Sequence, residues 1–124
     1  MNTHAKTVAR AAHERSFAAW REFVVALMEF RLGNLARSLE WVTKCTATPG
    51  ENTARDAMAW TLRAMIWYRQ GRAEEALAEV NSLRRNVNDR FAAIPGIFDT
   101  VEPQWQDWIY ARLLLREADA LMGK

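Results

Sequence analysis

The side chains able to do acid–base, nucleophilic or metal chemistry are few in this sequence and poorly spaced for it. His4 and His13 lie in a polar N-terminal stretch with Cys45 as the only thiol, which is no zinc-ligand set, since such sites draw close pairs of Cys and His. A single cysteine also excludes an internal disulfide, and Cys45 falls on the apolar stripe of a helix, where a small buried thiol is the ordinary state. A reactive thiol would need exposure and a neighbouring base. Glu74 and Glu75 follow Gly71 in the first turn of a helix, where the helix dipole favours negative charge without any catalytic role. The sequence contains no G-x-S-x-G and no Gly-rich loop leading from a strand into a helix. The reading is a non-enzyme with no cofactor and no metal.

Arg84, Arg85 and Arg90 form the densest basic group, but Asp89 interrupts it and the net charge is only +2, from 14 Arg and 3 Lys against 15 acidic residues. Most aromatic residues fall on helical stripes rather than among these arginines, so nucleic-acid binding is not favoured. Half of the 124 residues are hydrophobic and only three are Pro, a composition that suits one helical globular domain. No apolar run approaches the roughly 20 residues that span a bilayer, and MNTHAKTVARAAHERS has no apolar core of signal-peptide length. No membrane partner is expected, and a reducing, cytoplasmic setting is the default.

Hydrophobic periodicity divides the chain. Residues 1–15 are polar, rich in Arg and Ala and helix-compatible, an extension that either lengthens the first helix or frays. From Phe17 a wide apolar arc (Trp20, Phe23, Val24, Leu27, Met28, Phe30) runs to a stop at Gly33, and Asn34 is placed to cap a second helix carrying Leu35, Leu39, Val42 and Cys45. Pro49 and Gly50 end that helix. Thr53 with Asp56 resembles a capping box for a third helix reaching about Gln70. Gly71 marks the next bend, and a fourth helix runs from about Arg72 to Arg85. Residues 87–103 read as a long connection whose Phe91, Ile94, Ile97 and Phe98 pack down. Pro103 opens a closing helix from about Gln104 to Met122. That helix is apolar over most of its girth and must be covered on more than one side.

The chain also repeats itself. Sliding it by 38 residues places Ala26 on Ala64, Phe30 on Tyr68, Arg31 on Arg69, Gly33 on Gly71, Leu39 on Leu77 and Val42 on Val80, a shared order in two amphipathic helix pairs that chance explains poorly.

Such pairs, with a small residue seven before the turn Gly, an aromatic three before it and Ala five after it, resemble tetratricopeptide (TPR) repeats. The second copy carries Trp60, Ala64, Tyr68, Gly71, Ala76 and Val80. The first keeps Ala26, Phe30 and Gly33 but has Glu22 and Ser38 where an aromatic and the packing Ala are usual. The order FRLGNLARSLEWV, TPGENTARDAMAWTLRAM and WQDWIYARLLLREADALM further resembles the C-terminal repeat region of bacterial eukaryotic-like serine/threonine protein kinases, although no kinase motif is present.

The resemblance implies an all-α, right-handed α-α superhelix of two TPR-like hairpins, residues 16–48 and 53–86, with 104–122 as a capping helix, all in one domain spanning 1–124. By analogy with TPR arrays, the concave wall is expected from Trp20, Phe23, Leu27, Phe30 and Arg31 in one copy and Met58, Thr61, Met65, Tyr68 and Arg69 in the next. These residues would hold a peptide or helix of another protein, unless neighbouring segments simply cover them. The expected activity is a non-catalytic protein-interaction module, the regulatory or scaffolding segment of a kinase. Homodimerisation through the closing helix, by way of Trp105, Trp108, Leu114 and Leu115, is the rival expectation.

Overall fold

A computed structural model describes residues 3–47, 53–93 and 105–123. These residues form five α-helices and no strand: α1 (Thr3–Arg31), α2 (Leu35–Thr46), α3 (Thr53–Arg69), α4 (Ala73–Ala93) and α5 (Trp105–Leu121). The all-α class is as expected.

The two glycines that the repeat singles out end helices in the same way. Gly33 and Gly71 have φ of 84° and 89°, a left-handed conformation that costs a side chain with a Cβ but not glycine. At each bend the residue after the glycine donates its N–H to a carbonyl five residues back, Asn34 to Glu29 and Arg72 to Trp67, both at 2.9 Å. The glycine N–H bonds Phe30 in one case and Tyr68 in the other, which closes a Schellman-type end. Asn34 is the exception to expectation. Its side chain makes no capping bond to α2 and instead donates to the Glu29 carboxylate at 2.8 Å.

Within each pair the helices meet where the residues are smallest. Ala26 and Ser38, and their repeat equivalents Ala64 and Ala76, are completely buried, so the helix axes can approach closely. Val42 and Val80 are equally buried one turn further on. Ser38 occupies the Ala position because its hydroxyl has a partner, donating to the Ala26 carbonyl at 2.7 Å.

Helix α3 is the centre of the molecule. It packs against α1, α2, α4 and α5, and Ala54, Ala59, Leu62, Ala64, Met65 and Ile66 expose nothing. Arg55 is also buried there, with its guanidinium over the Trp20 ring at 5.9 Å and beside Asp56.

Two boundaries differ from the sequence reading. α1 begins at Thr3, so the N-terminal extension is continuous with the first helix. α4 runs to Ala93 rather than stopping near Arg85. No Gly or Pro intervenes before Pro95, and Val87 continues the buried stripe of Ala76, Val80 and Leu83 at steps of three and four. The remainder of the expected connection, with Ile94, Ile97 and Phe98, lies outside the described residues, as do Pro49, Gly50 and the side chain of Phe91.

Candidate functional site

The residues expected on a concave wall divide into two groups. Phe23, Phe30, Met58, Thr61 and Met65 are buried, none more than 8% exposed, because the helices flanking α1 and α3 cover them. This corrects the expectation that all ten residues line an open groove: a side chain that water does not reach offers a partner no area. Trp20, Leu27 and Tyr68 are partly buried against the core, and Arg31 and Arg69 are exposed.

Those two arginines end up together. Arg31, the last residue of α1, makes a two-point contact with Glu117 of α5: Nη1 donates to Oε2, and Nη2 to Oε1 at 2.7 Å. Arg69, the last residue of α3, lays its guanidinium over the Phe30 ring at 4.7 Å and adds to the positive field at Glu117. The Glu117 carboxyl is therefore held below its usual range, chiefly by the Arg31 hydrogen bond and against a partial desolvation that acts the other way. Arg31 is correspondingly pushed up by the same bond. Both arginines sit where the helix dipole is negative, so helix geometry supports their placement.

Glu117 was not singled out by the sequence reading, and a third glycine could have pointed to it. Gly123 follows α5 with φ of 76°, like Gly33 after α1 and Gly71 after α3. Aligning Gly123 with Gly33 slides the chain by 123 − 33 = 90 residues and puts Tyr110, Leu113 and Glu117 on Trp20, Phe23 and Leu27. Tyr110 and Leu113 are the exposed large apolar side chains of α5, at 56% and 52%. The accessible candidates for a strip are thus Trp20, Leu27 and Arg31 of α1, Tyr68 and Arg69 of α3, and Tyr110, Leu113 and Glu117, which stand at steps of three and four on α5. Three helices contribute, and the α1–α5 ion pair fastens one end.

The self-association residues are placed differently from expectation. Trp108, Leu114 and Leu115 are buried within the chain, on the face of α5 that packs against α3 and α4. The Trp105 side chain lies outside the described residues. Packing inside one chain already covers these three side chains, while Leu113 on the same helix stays exposed.

Little else among the described residues has the geometry of a reaction centre. Cys45 is fully buried and its thiol is pushed up to about 11, mainly by burial, with the Arg55 charge opposing. A thiol in that state is neither nucleophile nor ligand at neutral pH. No cluster of three or more His, Cys, Asp or Glu capable of holding a metal occurs among the described residues. No described helix is long and apolar enough to cross a membrane. Trp67 is taken up between the guanidiniums of Arg63 and Arg72, each 4.6 Å from its ring, and Trp41 carries Lys44 at 4.3 Å, so these aromatics already have cationic partners. No protein-family model, curated protein or solved structure matches the chain, and the TPR and kinase resemblances rest on its own residues.

Proposed function

We propose that the chain is a non-catalytic, TPR-like protein-interaction module of the kind that follows serine/threonine kinase domains, and that it takes a peptide or helix of another protein along the strip between α1 and α5. The observation that carries this reading is that exposed Tyr110 and Leu113 stand at steps of seven and four from Glu117 on α5, whose carboxylate Arg31 of α1 bonds and Arg69 of α3 acts on electrostatically. Apolar anchors beside charged groups of both signs suit an amphipathic segment, whose apolar side sits on Tyr110, Leu27 and Trp20 while an acidic group meets Arg69.

Selection from a random peptide library tests it. Peptides enriched on the wild-type chain should lose most of their affinity for Tyr110→Ser and Arg69→Glu, both exposed and outside the core. Enrichment no better than on an unrelated helical bundle, or equal binding to both variants, would refute the reading.

Self-association is the second reading, favoured by Phe17, Val24 and Met28, exposed at steps of seven and four on one face of α1. Sedimentation that finds only monomer at high micromolar concentration removes it.

A further inference from the structure

Helix α1 has two faces of different kinds. Ala19, Phe23, Ala26 and Phe30 are buried against the bundle. On the opposite side Glu14, Phe17, Arg21, Val24, Met28 and Arg31 follow one another at alternating steps of three and four, and all six are exposed. Phe17, Val24 and Met28 are 66%, 50% and 58% exposed. Half-buried Ala18 and Val25 border the row on one side, and Trp20 and Leu27 on the other. Alternation of three and four returns to the same side of a helix every seven residues, the spacing of a seam between two helices. One end of this seam also stands clear of the fold. Ser38 lies against Ala26, so Thr46 at the end of α2 falls at about the level of Ala18, and Glu14 and Phe17 project beyond it.

The seam is complementary to its own reverse. When a second α1 is laid antiparallel over it with Phe17 opposite Met28 of the second copy, Arg21 falls opposite Val24 and Glu14 opposite Arg31, and each contact occurs twice. Phe17 and Met28 then cover each other's apolar surface, sulfur beside ring. Arg21 lays its aliphatic stem on Val24 and keeps its guanidinium in water. Arg31 bonds Glu117 through two donors and a guanidinium has five, so Glu14 joins a cation already paired and selects the register more than it adds affinity. Other arrangements match less well. A parallel pair sets Glu14 on Glu14, Arg21 on Arg21 and Arg31 on Arg31, and the antiparallel register one heptad away faces Phe17 with Arg21 and Met28 with Arg10. In a deepening of the self-association reading, on which this rests, we propose that a second copy of the chain docks antiparallel along the α1 seam, Phe17 of each copy against Met28 of the other and Glu14 beside Arg31 at both ends.

Sedimentation equilibrium of the intact chain tests the register together with the association. Phe17 and Met28 are exposed, so Phe17→Glu and Met28→Lys should keep the wild-type helical content by circular dichroism. Each alone should weaken self-association by at least about tenfold, because a charge then faces an apolar side chain. An equimolar mixture of the two variants should recover much of the lost affinity, since one seam contact becomes Glu against Lys and the other remains Phe17 against Met28. Only an interface in which positions 17 and 28 meet responds in this way. Should either charged variant fold poorly, Phe17→Ser and Met28→Ser are expected to weaken the dimer in the same direction, and a dimer unchanged by both would sink the proposal. A wild-type chain that stays monomeric at high micromolar concentration overturns self-association and this seam together. A dimer that the charged variants leave intact, or a mixture no tighter than its components, overturns the α1 seam and leaves self-association to another face.

Discussion

Arg31 and Glu117, 86 residues apart in sequence, join the end of α1 to α5 through two hydrogen bonds, although the two helices do not otherwise pack together. A link between helices that share only a neighbour restrains the angle at which they flank it. Both side chains are well exposed, at 51% and 39%, so solvent screens the pair and its worth is about 0.5 kcal/mol. Because the folded-state carboxyl titrates below its ordinary value of 4.5, this contribution is present above that value and is lost as pH falls through the lower folded-state value. Glu117→Gln should therefore cost about 0.5 kcal/mol in urea unfolding at pH 7 and have little effect in strong acid. An equal loss at both pH values would mean that packing, not charge, is at stake.

The bends at Gly33 and Gly71 predict a pattern of substitution costs. A Cβ built on either glycine meets no atom within 4 Å, so the penalty is conformational alone. Gly71→Ala should destabilise by about 1 kcal/mol or somewhat more, Gly71→Asn by less and Gly71→Val by the most. Thermal melts of the three variants check the ranking. A Gly71→Ala melt indistinguishable from wild type would contradict the left-handed assignment.

Equivalence of the two helix pairs can be tested at their crossings. Ser38→Ala removes one hydrogen bond while Ala26 keeps its helical partner, so the cost should be about 1 kcal/mol or less. Ser38→Leu and Ala76→Leu each force a large side chain between close helices and should both cost more than that. If only one of them is destabilising, the two crossings are not alike.

Cys45 should behave as an inert reporter of unfolding. With its thiol raised to about 11 by burial, alkylation at pH 8 should be no faster than the opening of the fold. Rapid labelling of the native protein would show that the α2–α3 interface is looser than this packing implies.

The helices were largely legible in the sequence because apolar residues at steps of three and four, punctuated by Gly33 and Gly71, leave few other arrangements. The extension of α4 to Ala93 was less so. Asn86, Asn88 and Asp89 look like turn residues in isolation, and only the burial of Val87 against the core keeps the helix going. For the candidate site, the repeat named Arg31, Tyr68 and Arg69, which water reaches, along with residues it does not, and could not tell open wall from core. Met58 and Met65 have the same periodicity as Trp20 and Leu27, and what separates them is how closely the flanking helices lie. Glu117 was hidden because hydrophobicity alone gave α5 no distinguishable face.

The account depends most on the ends of α1, α3 and α5 meeting, and spin labels at Leu32, Gln70 and Ala120 test this directly by pulsed electron paramagnetic resonance. All three positions are exposed, and the buried Cys45 does not compete for label. Three short, narrow distance distributions, each well below the roughly 26 Å length of a 17-residue helix such as α5, are predicted. A separation from Ala120 to Leu32 or Gln70 as long as α5 itself would put the helix ends apart, and with them the strip on which the proposed partner lies.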